Sequence, residues 1–189
     1  MVKTIINKSE YAEIVPAYIR NNKQYYHLNI NPQEIVDSDM YVVLSHTYDH
    51  YPTQEDKDKL YADYLALCKK VKVAEVDRYD KSENVNGLYL GGVHCWLDKA
   101  TRVGLANSIA VEKAAGKTET TLYLNGVALT IDIEQAQQML AALELYALDC
   151  YRKTEEHKMT INALSVIEEA ENYDFTQGYP EQLKFESEY

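Results

Sequence analysis

Residues 88–98 read Leu-Tyr-Leu-Gly-Gly-Val-His-Cys-Trp-Leu-Asp, and residues 122–132 read Leu-Tyr-Leu-Asn-Gly-Val-Ala-Leu-Thr-Ile-Asp. Each copy joins two apolar, strand-forming runs through a dipeptide, Gly91-Gly92 or Asn125-Gly126. Both dipeptides accept positive φ at the two turn positions, which a type I′ hairpin demands. Each copy ends on an acid, Asp98 or Asp132, placed to cap a following helix. The second half of the chain therefore reads as hairpin–helix, hairpin–helix.

The pattern extends outward from these two strings. After Asp98, Val103, Ala106, Ile109, Ala110 and Ala114 line one helical face. Gly116 closes that helix, with Lys113 beside its C-terminal dipole. After Asp132, no Gly or Pro occurs between Gly126 and Gly178. Ala136, Met139, Leu143, Tyr146, Cys150, Thr154, His157, Ile161, Leu164 and Glu168 step by three and four. This is a heptad-like seam, weakened by Thr154, His157 and Glu168. Unbroken, about 35–40 residues would reach roughly 50–60 Å. Such a seam needs a long partner.

Upstream, Pro52-Thr53 opens another helix. Thr53 can cap it, Asp56 completes a near capping box, and Leu60, Tyr64, Leu67 and Val71 form its apolar stripe. It is expected over 54–78, long enough to cover about two-thirds of the seam. Residues 1–52 are the least regular part. Short strands are expected at 3–6, 24–30 and 40–44. Tyr11, Ile14, Val15 and Tyr18 have helical spacing, which Pro16 interrupts, and 46–52 reads as a Tyr/His loop. The tail from Asn172 to Phe185 is too apolar to float free, so it should dock on its own domain or on a neighbour. The expected class is α+β: two β-hairpin–helix units with a long C-terminal helix, plus a small N-terminal α/β module. The expected domains are 1–52 and 53–189. The matching hairpin strings suggest that both hairpins share one small sheet, since a lone hairpin is marginal in water.

Composition narrows the function classes. Hydrophobic residues make up 46% of the 189, enough to build a core rather than a disordered chain. The net charge of −11 argues against nucleic acid or an anionic membrane as partner. The densest basic run, Lys69-Lys70-Val71-Lys72, reads as a solvated helix face. No apolar run is long enough for a signal peptide or a spanning helix, so the chain is expected to be made in the cytoplasm and to stay soluble, or to be carried in a virion. Cys68, Cys95 and Cys150 lack CxxC spacing and read as reduced thiols. Tyrosine is the outlier, with 17 copies against two Phe and one Trp. It suits surfaces that become interfaces, and equally half-buried positions where Phe would serve.

No residue cluster makes a convincing catalytic or metal site. His46 and His50, with Asp49, have a metal-pair spacing but lie in an expected loop without a third ligand. His94 and Cys95 are adjacent on a strand and point to opposite faces, so they cannot form a nucleophile pair. Asp37 and Asp39 lack the glycine and further acids of a calcium loop. The two turn dipeptides fit no phosphate loop.

The run Val85-Asn86-Gly87-Leu88, continued by Trp96-Leu97-Asp98-Lys99-Ala100-Thr101-Arg102-Val103-Gly104-Leu105, resembles an uncharacterised domain family. That family is found in bacteriophage and prophage tail-associated proteins, especially from gut bacteria. Ala141-Ala142-Leu143-Glu144-Leu145-Tyr146-Ala147, His157-Lys158 and Ile161 fit its long-helix portion, so the resemblance covers about 77–185. It implies a structural or tail-assembly role rather than an enzyme and carries over no catalytic residues; no cofactor or metal is expected. Residues 1–76 fall outside it.

Partners would then be the chain itself or other tail proteins, and a second class is a tail-tip module holding a surface carbohydrate. Candidate interaction residues are Trp96, Arg102, Tyr146, Tyr173, Phe175 and Tyr179. Trp96 is expected as a core anchor at the hairpin–helix junction, with Arg102 ion-paired to the neighbouring helix; the alternative is an exposed Trp96–Arg102 binding spot. The seam and the aromatic tail are the expected surfaces of self-association.

Overall fold

The computed structural model describes residues 1–124 and 126–185 and is an α+β protein. Asn125 of the second turn and Tyr189 of the tail lie outside the described residues. The chain divides into two compact units. One comprises Met1–Lys70 with Ser165–Glu171, and the other comprises Val71–Leu164 with the segment from Asn172. The expected boundary after residue 52 thus moves into a helix, because residues 54–70 pack on the N-terminal sheet.

That sheet is antiparallel, in the order β1-β4-β3-β2, from β1 (Val2–Asn7), β2 (Ile14–Arg20), β3 (Lys23–Glu34) and β4 (Met40–Tyr48). The N-terminal module is built on this four-stranded sheet, with helical residues packed against it. The helical spacing at 11–18 proved misleading. Ile14–Arg20 is a strand, and Pro16 is tolerated because β2 lies at the sheet edge, where a missing N–H breaks no ladder. Residues 46–48, expected in a loop, continue β4. Leu28, Ile30 and Leu44 pack with Leu60 of α1 (Gln54–Asp80) and Ile167 of α5 (Ile167–Glu171). The capping box forms: Asp56 accepts from the Thr53 N–H and hydroxyl, and Thr53 Oγ1 accepts from the Asp56 N–H.

In the other unit, a one-turn helix α2 (Glu83–Asn86) leads into β5 (Gly87–Leu90) and β6 (Val93–Trp96). Gly91 and Gly92 have φ of 55° and 79°, the positive pair that the two-residue turn requires. Asp98 Oδ1 accepts from the Thr101 N–H and caps α3 (Lys99–Ala114). The second hairpin, β7 (Glu119–Leu124) with β8 (Val127–Asp132), leads to Asp132, whose carboxylate accepts from Glu134 and Gln135 N–H and caps α4 (Ile133–Ala163). The two hairpins do not form one sheet. β5 pairs on its second side with β9 (Leu183–Phe185), in parallel, while β7 and β8 form a separate ribbon. Both nevertheless contribute to one core: Leu88, Leu90, Cys95, Leu97 and Leu122 pack with Ile109 of α3 and with Ala136, Met139, Leu140 and Leu143 of α4.

The seam of α4 is buried by its own chain from Ala136 to Ile161. The hairpins cover its first half. Val85 packs with Tyr146 and Cys150, Tyr79 and Tyr179 join that cluster, and Thr154 Oγ1 donates to Asp80 Oδ1 at 2.7 Å. Leu164 leaves the helix as its C-cap, and Glu168 lies in α5, so α4 has 31 residues and is shorter than the pattern suggested. An open seam therefore gives no ground for self-association.

Candidate functional site

Strand alternation decides the position of Trp96. Leu88 and Leu90 on β5 and Cys95 on β6 point inward, and Leu97 after the strand is buried too. Trp96 falls on the other side of β6 and is 41% exposed, so it is not the core anchor expected. It lies instead in a groove of about 740 Å³. The apolar wall comes from Ala147, Leu148 and Tyr151 of α4, with Tyr151 itself 55% exposed. Asp80, Lys81, Asn86, Asp98, Lys99, Arg102 and Glu144 complete the lining.

Arg102 ties parts of the lining together. Only 8% exposed, it donates from Nε to Glu144 Oε1 at 2.8 Å and from Nη1 to the Leu97 carbonyl at 2.6 Å. The expected ion pair to the neighbouring helix is present. The carboxylates are held by local partners: Asp98 accepts from the N–H and hydroxyl of Thr101, which pull its pKa below the ordinary value, and Asp80 accepts from Thr154. Asn86 Nδ2 donates to the Asp80 carbonyl at 2.5 Å and joins the α1 end to α2. The groove offers an indole, a phenol and polar groups held by hydrogen bonds.

Comparison with protein-family models, curated proteins and solved structures finds no match. Among the described residues no cluster of three or more His, Cys, Asp or Glu could hold a metal ion, and no helix is long and apolar enough to cross a membrane.

The remaining candidates make contacts within their own unit. The Tyr146 hydroxyl is buried and donates to the Val85 carbonyl, and burial pushes its pKa above the ordinary range. Tyr173 and Tyr179 meet α4 through His157 and Thr154: Tyr173 Oη is 2.8 Å from His157 Nδ1, and Tyr179 Oη is 3.0 Å from Thr154 Oγ1. Phe175 packs edge-on against Tyr79, with Lys72 Nζ 5.8 Å from its ring centroid. The tail is thus a strap over α4, ending in the β9 pairing with β5. Elsewhere, His50 bridges Asp49 and Asp56 at 3.1 Å each, and His46 packs edge-on against Tyr48. Cys95 is buried while His94 faces Tyr89, so the two point apart as their adjacency on a strand required.

Sequence reading missed Leu148 and Tyr151, but a signal existed. Glu144, Ala147, Leu148 and Tyr151 form a second stripe on α4 at spacings of three and four, beside the buried seam.

Proposed function

We propose that the chain is a non-catalytic contact protein, a structural or assembly component of a phage or prophage tail, that engages its partner through the Trp96 groove. The tail setting rests on the resemblance of residues 77–185. The observation that carries the contact role is the half-exposed Trp96, set with Tyr151 and Leu148 beside a buried, ion-paired Arg102. Trp, Tyr and Arg are the residues that dominate binding energy in protein interfaces, above all where a concave wall excludes water around them.

The test is particle assembly. Trp96→Ala and Tyr151→Ala are introduced into the phage or prophage that encodes the chain, and intact tailed particles are counted. The reading expects a loss of at least tenfold while the purified variants keep wild-type circular dichroism. Unchanged particle yield in both variants would remove the groove from assembly.

One feature favours the second reading, a surface carbohydrate as ligand. The groove's acids, Asp80, Asp98 and Glu144, are matched one for one by Lys81, Lys99 and Arg102. A charge-balanced groove with exposed aromatics suits a neutral, hydroxyl-rich ligand. Trp96 is the only tryptophan, so its fluorescence reports groove occupancy directly. A saturable shift with a neutral oligosaccharide, absent in Tyr151→Ala, would select this reading over a protein partner.

A further inference from the structure

The two outer strands of the N-terminal sheet are not alike. β2 carries Pro16, and its register with β3 shifts between Pro16 and Ile19. A proline and a bulge both blunt an edge against pairing. β1 has neither. It keeps an unbroken register with β4, from Val2 opposite Ser45 to Asn7 opposite Met40. Val2 and Ile5 are 61% and 60% exposed. The lysines that would guard this edge by charge are both paired with acids: Lys3 Nζ lies 2.6 Å from Glu171 Oε1, and Lys8 Nζ lies 3.5 Å from Glu34 Oε2.

The ladder shows which backbone groups are open. The Lys8 N–H donates to the Asp39 carbonyl at 2.7 Å, so the adjoining Asn7–Met40 pair is a non-hydrogen-bonded one. Alternation then directs the N–H and C=O of Lys3, Ile5 and Asn7 away from β4, toward the open side.

We propose that β1 is a pairing edge for a second copy of this chain. Two copies related by a two-fold axis perpendicular to the sheet join their β1 strands antiparallel about Ile5, making one continuous sheet. Such an interface is isologous, each copy presenting the same patch. In this register Ile5 faces Ile5, Lys3 faces Asn7 and Thr4 faces Ile6. Every open backbone group of Lys3, Ile5 and Asn7 finds a partner, an apolar pair forms at the centre, and no lysine faces a lysine. Centring on Thr4 instead pairs Lys3 with Ile5 and sets Asn7 opposite Met1, outside the strand, so the Ile5 register keeps more of the pairing within β1. This surface is separate from the Trp96 groove, and the inference does not rest on the groove's function.

Sedimentation velocity on the full chain, from about 10 μM to about 1 mM to span weak, transient association, tests the proposal. The mass is expected to rise with concentration toward twice that of the monomer. Ile5→Lys sets two ammonium groups opposite each other at an exposed position and should hold the protein monomeric, with unchanged circular dichroism. Ile5→Cys provides a second readout. Directly opposed residues of a hydrogen-bonded antiparallel pair have Cα atoms about 5.5 Å apart, within disulfide reach. Mild oxidation should therefore link two copies of the Ile5→Cys variant but not the wild-type chain. A wild-type protein that stays monomeric throughout, or an Ile5→Lys variant that associates as well as the wild type, overturns the proposal. If Ile5→Lys fails to fold, the Ile5→Cys link decides: its formation supports the pairing and its absence overturns it.

Discussion

Arg102 shows how one side chain can tie together the elements that line a groove. Its guanidinium joins α3, α4 and the end of the first hairpin through Glu144 and the Leu97 carbonyl. Glu144 is half exposed and can return to water when the arginine is lost, so the ion pair itself contributes little. The Leu97 carbonyl keeps no such option, because Leu97 is buried. Arg102→Ala should therefore cost about 2–3 kcal/mol, most of it from the stranded carbonyl. Arg102→Lys should recover only part, since an ammonium cannot reach both partners in the same fixed geometry. Urea denaturation of both variants measures this.

Trp96→Ala should cost well under the ~3–5 kcal/mol typical of a buried tryptophan, because the ring is already half in water. His157 adds a pH-dependent element. The Gln177 carbonyl can only accept, so Nε2 carries the hydrogen and Nδ1 accepts from the Tyr173 hydroxyl. Burial, the largest cause, lowers its pKa, with Lys153 adding to the effect while Gln177, Glu156 and Asp174 oppose it. The unfolded chain then binds the proton more readily than the folded one. The stabilising contribution is complete above the ordinary histidine pKa of about 6.5 and declines as pH falls through that value toward the lowered one. His46 shifts in the same direction and the exposed His50 in the opposite one, so a comparison is needed. The urea midpoint of the wild type should fall more between pH 7.5 and pH 5 than that of His157→Gln.

At the scale of elements, Gly87 joins α2 to β5 where three segments converge. A Cβ there would meet the Glu83 carbonyl, His94 Nε2 and, at 2.6 Å, Gln182 Nε2. The side chains could rotate away, but the carbonyl belongs to the α2 backbone and cannot. Gly87→Ala should destabilise the protein by about 1–3 kcal/mol through this overpacking. Loss of the Gln182 contacts to the Glu83 and Asn84 carbonyls should also loosen the tail, seen as faster amide exchange in β9.

The elements most legible in the sequence were those with a local code. Gly91-Gly92, Asp98, Asp132 and the Thr53–Asp56 box mark their turns and helix starts by chemistry within four residues. β2 was hidden because Ile14, Val15 and Tyr18 mimic a helical face, and only sheet pairing reveals that Pro16 sits at an edge. The separate hairpin sheets were hidden for a similar reason: β5 is claimed by β9, almost a hundred residues later in the chain, and no local pattern announces a parallel partner. Trp96 was legible in principle. The inward run of Leu88, Leu90, Cys95 and Leu97 leaves Trp96 on the opposite side, but the usual burial of tryptophan masked that alternation.

At the scale of the whole molecule, the three thiols report on different parts of the fold. Cys68 belongs to the N-terminal unit and is half-buried beside Tyr64 and Glu171. Burial raises its pKa, and the Glu171 charge adds to the rise, so little thiolate forms near neutral pH. Cys95 lies in the hairpin core, and Cys150 lies under Val85, Tyr146 and the Tyr179 strap. The native protein should therefore label slowly with a thiol reagent at Cys68, and at Cys95 and Cys150 only when the second unit opens.

Removing the chain from Asn172 onward takes away Tyr173, Tyr179 and Leu183, which close over Thr154, His157 and the Cys150 cluster. It also strips β9 from β5, but Cys95 keeps its α3 and α4 neighbours. The truncated chain should expose Cys150 at least tenfold faster while Cys95 changes less, read by mass spectrometry of labelled peptides. Equal acceleration at both thiols would mean that the strap supports the whole unit rather than the half of α4 it covers.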